Sequence, residues 1–176
     1  MDADSVTLIE PTTRLAAEFQ AMVEEFRLAG EESYQHYRDQ IRTDFPAYVR
    51  WIESLRAGNP ARPDRVPEST FWLVRNGHTV LGGSRLRYEL TARTAQIGGH
   101  IGYDIRPSAR RQGYGTRLLA LTLERARGAG LTHILLTCDT ANIASARTIE
   151  KNGGRLENRI SAPDTGEEVS RYWIAL

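Results

Sequence analysis

The run Arg110-Arg111-Gln112-Gly113-Tyr114-Gly115-Thr116 is the stretch of the chain whose residue types and spacing best suit chemistry. Glycines at 113 and 115 let the backbone turn tightly and approach a ligand with no side chain in the way. Between a strand and a helix, such a loop aims unpaired N–H groups and the positive end of the helix dipole at a phosphate or pyrophosphate. Arg110 and Arg111 can add charge-assisted donors, and Thr116 a hydroxyl. An ordinary tight turn also uses Gly-x-Gly, and a nucleotide-phosphate binder would use the same loop, so the surrounding elements decide. A second candidate is His100, within Gly98-Gly99-His100-Ile101-Gly102-Tyr103: a general base if Gly98-Gly99 forms a bulge, a packed core histidine if the strand alternates regularly. His36, His78 and His133 show no metal-ligand spacing, so no metal is expected. The single Cys138 excludes an intramolecular disulfide and reads as a buried small hydrophobe.

The elements around the loop follow from hydrophobic periodicity. Thr12 or Thr13 can cap a helix with Leu15, Phe19, Met22, Val23 and Phe26 at helical spacing, stopped by Gly30. A second helix is expected from Phe45 to Arg56, with Tyr48, Trp51, Ile52 and Leu55 on one face. Gly58-Asn59-Pro60, Pro63 and Pro67 then break the chain into a linker. Phe71 to Val74 and Thr79 to Leu81, around Asn76-Gly77, read as a hairpin continuing towards Tyr88. A third strand is expected from about Ile97 to Ile105. The loop Pro107 to Gly115 follows it, then a helix from Thr116 to about Arg127 and a buried strand from Leu131 to Cys138. A short helix over Asn142 to Asn152 ends at Gly153-Gly154, and strands Arg155 to Ile160 and Val169 to Ala175 flank Pro163-Asp164-Thr165-Gly166. This order predicts an α+β domain with a mixed sheet, with Trp51, Trp72 and Trp173 in its core.

At 176 residues and net charge +1 the chain has the size of one globular domain, and its overall balance argues against a nucleic-acid partner held by bulk charge. Of its 23 basic residues 22 are arginine, as codon bias would produce. The charge is unevenly spread: residues 1 to 60 carry −5 and residues 61 to 176 carry +6. That split fits a basic surface for a polyanionic ligand in the later part, or solvated helix faces. With no basic start followed by an apolar stretch and no apolar run of spanning length, a cytoplasmic setting without membrane contact is expected.

The residues resemble the GCN5-related N-acetyltransferase (GNAT) superfamily. Its phosphate loop has the form (Gln or Arg)-x-x-Gly-x-(Gly or Ala), matched by Arg110, Gly113 and Gly115. The run from Thr137 through Asn142 to Lys151-Asn152-Gly153 is similar to its later motif, in which an Asn opens a helix beside the pantetheine arm and Lys-x-Gly closes it. The two motifs cover about residues 70 to 176. Val66 to Phe71, Gly98 to Tyr103, Leu136 to Asp139 and Arg171-Tyr172-Trp173 look like a bacterial subgroup of that family with no assigned substrate.

The resemblance implies a single N-acetyltransferase domain over residues 1–176 with a splayed sheet, residues 1–60 on the acceptor side and 70–176 as the acetyl-CoA core. Acetyl-CoA would be the co-substrate. Amides of Arg111, Gln112, Gly113, Tyr114, Gly115 and Thr116 would hold its pyrophosphate, main chain at Tyr103, Ile105 and Arg106 its pantetheine, and Asn142 would lie close to the arm. The reaction would be direct acetyl transfer to a primary amine of a small molecule or peptide, which needs a neutral amine, a donor for the oxyanion and a proton for the departing thiolate. Many relatives carry a tyrosine as proton donor where this chain has Ile149. Ser145, one helical turn earlier on the same face, is the candidate substitute, or else a backbone or phosphate contact. Relatives' strand bases match Gly99 or Ile101, which cannot act, leaving His100 as the candidate. Tyr103 can line the acyl channel or pack in the core, and Glu31 and Glu32 can attract a cationic amine or sit on a solvated loop. A CoA-binding or sensory domain without turnover is the alternative, and the closing strands with Trp173 offer an edge for a homodimer.

Overall fold

The computed structural model describes residues 5–58, 66–163 and 165–176; the proline-rich linker at 59–65 and Asp164 of the last turn lie outside them. Two antiparallel sheets form the frame. The first has the order β1-β2-β3-β4, built from Val6–Ile9, Glu68–Arg75, Thr79–Arg87 and Ile101–Ile105. The second has the order β5-β7-β6, from His133–Asp139, Glu168–Ala175 and Arg155–Ser161. Where a mixed sheet is expected, every ladder among the described residues is antiparallel, because β4 and β5 splay apart instead of pairing along their length. Strand β1 is also absent from the reading of the first third as helical: four residues without clear alternation reveal themselves only by pairing with β2, Val6 opposite Arg75.

The apolar run on β2 is explained by burial on both faces. Phe71 and Leu73 point into a core shared with Leu118, Leu119 and Leu123 of α4 (Tyr114–Gly128) and with Ile134, Leu136 and Tyr172 of the second sheet. Trp72 and Val74 point into a second core under α1 (Ala16–Leu28) and α3 (Phe45–Ser54). There Phe19 stacks on Trp72 with ring centroids 4.5 Å apart. Asp44 caps α3 by accepting the Ala47 N–H at 2.9 Å, while the short α2 (Arg38–Thr43) runs just before it. Trp51 departs from the expected core position: it is half-buried and leans on Tyr37 at 4.5 Å between centroids. Trp173 lies on β7, the central strand of the second sheet, so the free edge there belongs to β6. No helix among the described residues is long and apolar enough to cross a membrane.

The two sheets touch where Gly98, Gly99 and His100 meet β5. The His100 N–H donates to the Leu135 carbonyl at 2.7 Å, and the Leu135 N–H donates back to His100 Nδ1 at 2.9 Å. Gly99 makes this approach possible. Its φ is +59°, and a Cβ there would stand 2.3 Å from the Leu135 carbonyl oxygen. Gly99→Ala is therefore expected to cost about 3 kcal/mol, left-handed strain and overlap adding together. The measurement is the urea unfolding midpoint, and a midpoint equal to wild type would contradict this account of the join.

Candidate active site

Helix α4 begins at Tyr114 behind Gly113, whose φ of +85° turns the chain into the helix. The backbone N–H groups of residues 111 to 116 have no acceptor within the described protein, so they stand open at the positive end of a 15-residue helix. Gly115 faces α5 (Ile143–Lys151): a Cβ there would lie 3.6 Å from Thr148 Oγ1, an ordinary contact distance, so the packing of the two helices tolerates a side chain's first carbon at this position. Arg111 sits in the left-handed region at φ +61° with its side chain exposed, and Gln112 Nε2 donates to the Ser108 carbonyl. Thr116 is the third residue of α4, and its carbonyl accepts from Asn152 Nδ2 at 3.3 Å.

Two arginines assigned to the ligand are instead held by the protein. Arg110 makes a two-point ion pair with Glu31, at 2.6 and 2.8 Å, and its Nε donates to the Ile105 carbonyl at 2.9 Å. That pairing lowers the Glu31 pKa and leaves neither side chain free for the expected role, phosphate contact for one and amine attraction for the other. Glu32 is exposed, accepts from Gln35 Nε2 at 3.2 Å and does not line the cavity described below. Arg106 is buried and turned away from the loop. Its guanidinium reaches Glu25 at 2.5 and 3.0 Å and the Val80 carbonyl at 2.9 Å, tying α1 to the end of β4. The main chain there is largely committed too: the Arg106 N–H donates to the Leu81 carbonyl and the Arg106 carbonyl accepts the Ala109 N–H, each at 2.9 Å, while Arg110 takes the Ile105 carbonyl.

A cavity of about 710 Å³ opens where β4 and β5 part. At one end stand Tyr103, Cys138, Asn142 and Ser145. Asn142 Oδ1 accepts the Ser145 N–H at 3.0 Å and thereby starts α5. Ser145 Oγ lies 2.9 Å from Tyr103 Oη, so strand and helix are bridged across the split. Burial raises the Tyr103 phenol and the Cys138 thiol above their ordinary pKa values, keeping both protonated, and the thiol also shares a hydrogen bond with Ser145. Ile149 is fully buried in the core.

The other end of the cavity is made by residues that the sequence reading did not single out. Ser84 bonds Thr122 of α4 at 2.7 Å, so alternation turns Gly83, Arg85 and Arg87 to the opposite face, under the first helices. Arg87 is held by Glu68 at 3.2 Å and by the Gly99 carbonyl at 3.1 Å. Tyr34 Oη donates to Asp104 Oδ1 at 2.8 Å, and Arg85 Nη2 approaches Asp104 Oδ2 at 3.5 Å. Burial raises the Asp104 pKa, opposed by the Arg85 charge and the Tyr34 hydrogen bond. Tyr37, Tyr48 and Trp51 close the far wall. The available signal was the placement of two arginines at alternate positions in an otherwise apolar strand.

His100 does not line this cavity. Its Nδ1 is occupied by the Leu135 N–H, which leaves the neutral ring's proton on Nε2 and no lone pair free to take another. The expected role as base is thus replaced by that of a fastener between sheets. Burial, with help from the Arg87 charge, lowers its pKa from 6.5. Since the unfolded chain takes up this proton first, stability is complete above about pH 6.5 and falls as the pH drops towards the depressed folded value. In wild type, urea midpoints at pH 7.5 and 5.5 should differ by more than in His100→Asn, whose amide oxygen can still accept the Leu135 N–H. Equal differences in the two proteins would refute this.

The Acetyltransferase (GNAT) family matches residues 19–154 of the chain. No curated protein matches the full sequence significantly. Among solved structures, the RimL ribosomal L7/L12 α-N-protein acetyltransferase in complex with coenzyme A is 14% identical, with TM-score 0.71, covering 98% of this chain and 94% of that one. RimJ of Mycobacterium smegmatis, with a CoA disulfide, is 18% identical, with TM-score 0.70, covering 97% and 81%. The microcin C7 self-immunity acetyltransferase MccE, with acetyl-CoA and AMP, is 14% identical, with TM-score 0.67, covering 99% and 94%. At such identities the likeness is one of fold.

Proposed function

The chain belongs to the GNAT acetyltransferase family, and from that premise we propose that it is an N-acetyltransferase moving the acetyl group of acetyl-CoA directly to a primary amine of a small molecule or peptide. The observation that carries this reading is the row of unpaired amides at residues 111 to 116, set at a helix start beside the split that opens into the cavity. Bound acetyl-CoA supplies an activated thioester. The loop amides hold its pyrophosphate by dipoles rather than by Arg110, whose charge Glu31 already neutralises. As the last strand of its sheet, β4 offers a free edge of main-chain groups along the split, suited to the amides of a pantetheine arm and to a developing oxyanion. Ser145, bonded to Tyr103 Oη, takes the place of the missing tyrosine donor and gives the departing thiolate its proton, with the phenol behind it as the reservoir.

The solved neighbours bound to CoA or acetyl-CoA support this choice of co-substrate. A CoA-binding domain without turnover is the second reading, favoured by Ile149, which is buried and cannot donate a proton. Acetyl-CoA is expected to raise the melting temperature of the wild type and not of Gly113→Glu, which puts a β-carbon at φ +85° and a carboxylate at the anion site. Steady release of CoA thiol in the presence of an amine would exclude the second reading. Ser145→Ala should keep acetyl-CoA affinity and lose about 10²-fold in kcat, within the range of general acid catalysis. No thermal shift with acetyl-CoA would sink the proposal, and unchanged kcat in Ser145→Ala would remove Ser145 from the mechanism.

A further inference from the structure

We propose that the acceptor half of the cavity is built for a small amine that carries a carboxylate, and that Arg85 is the residue that reads it; the inference rests on the acyl-transfer reading above. The arginines near the site differ in what occupies them. Arg87 is spent on Glu68 and the Gly99 carbonyl, Arg106 on Glu25 and the Val80 carbonyl, and Arg110 on Glu31. Among the described residues Arg85 has one polar partner, Asp104 at 3.5 Å, while its side chain remains 42% exposed and lines the cavity. A guanidinium carries five N–H donors in a fork that matches a carboxylate, and those that Asp104 does not take make no other hydrogen bond to the described residues.

Its position is fixed by the strand beneath it. The guanidinium lies over Gly102 of β4: a Cβ there would stand 3.4 Å from Nη2 and 3.6 Å from Nε of Arg85, so the head rests against this stretch of the strand. Gly102 is flanked by Ile101 and Tyr103, both on the cavity lining at the split. In an α-amino acid the carboxylate carbon and the amine nitrogen are separated by a single carbon. A carboxylate gripped by Arg85 therefore keeps the amine inside the cavity whose other end holds the pair formed by Tyr103 and Ser145. Two hydroxyls on the same wall, those of Tyr37 and Tyr48, make no hydrogen bond to the described protein and can donate to the same anion.

A cationic group finds no comparable partner at this end. Glu68 is held by Arg87, and Asp104 lies beneath Tyr34 off the cavity lining. The remaining acid on the lining, Asp139, stands at the end of β5. The contact of Tyr37 with Trp51 adds an aromatic wall that suits an apolar or flat side chain.

The test compares phenylalanine and methionine with their carboxamides, their decarboxylated amines and a short diamine, following CoA thiol release in wild type, Arg85→Met and Arg85→Lys. The free amino acids are expected to exceed their carboxamides by about 10²-fold in kcat/KM, the worth of a charge-assisted two-point contact. Arg85→Met should erase that preference, mainly through KM, and Arg85→Lys should restore part of it. Because Arg85→Met leaves Asp104 without its cation, the double variant Arg85→Met/Asp104→Asn is measured beside it and should lose the same preference. Carboxamides or diamines used as well as the acids by the wild type would overturn the assignment, and so would a wild type that binds acetyl-CoA yet acetylates no acid in the panel. Both results would leave CoA binding standing, as read by the thermal shift, whereas failure of that binding would overturn the acyl-transfer reading and this inference together.

Discussion

Hydrogen bonds from the segment before β4 to β5, His100 with Leu135 and the Gly98 N–H to Thr137 Oγ1, hold the two sheets together at one place, and the site exists because β4 itself forms no ladder with β5 among the described residues. Had the strands paired in full, the split would be closed and the free edge of β4 consumed. Had they not met at all, Tyr103 and Ser145 would not face one another at 2.9 Å. The join needs a backbone without a β-carbon at position 99 and an imidazole that can accept an N–H while neutral. Both demands come from one short segment, Gly98-Gly99-His100, which has the appearance of a catalytic motif and serves as a hinge point of the architecture.

The arginine-rich composition takes on meaning in the same terms. Arg106 fastens α1 to the end of β4 through Glu25, and Arg110 fastens the segment after α1 to the loop before α4 through Glu31. The acidic front of the chain and its basic remainder therefore meet partly as internal ion pairs. The groups left without a protein partner at the start of α4 are backbone N–H dipoles, which cost little to reorganise and cannot be neutralised by a neighbouring carboxylate. Burial matters here: the Arg106 pair is shielded and geometrically tight, whereas the Arg110 pair is exposed and contributes more to placement than to stability.

The distribution of hydroxyl and charged groups along the cavity follows from the pleat. On β4, Tyr103 belongs to the α4 and α5 face, while Gly102 and Asp104 belong to the face under the first helices. Alternate residues of β3 and β4 thus line opposite ends of one cavity, Tyr103 with Ser145 at one and Arg85 at the other. Strand alternation turns a single edge strand into a two-sided wall.

The sequence by itself determined the order of the core elements, the loop before α4 with its two glycines, the helix opened by Asn142 and the buried character of β5, because each of these is written in local periodicity, turn chemistry or a spaced motif. It did not disclose β1, which is defined by its partner strand, nor that the ladders beyond the hairpin of β2 and β3 are antiparallel too, the half-exposed Trp51 or the partners of Arg106 and Arg110, which lie about eighty residues away in the chain. Only the tertiary structure decided that His100 fastens sheets, that Ile149 belongs to the core and that Arg85, Tyr34 and Tyr48 face a common cavity. The physical reason is range: caps, glycine turns and hydrophobic period act over a few residues, whereas the role of a charged or titratable side chain is set by whichever distant group arrives within hydrogen-bonding distance once the chain has packed.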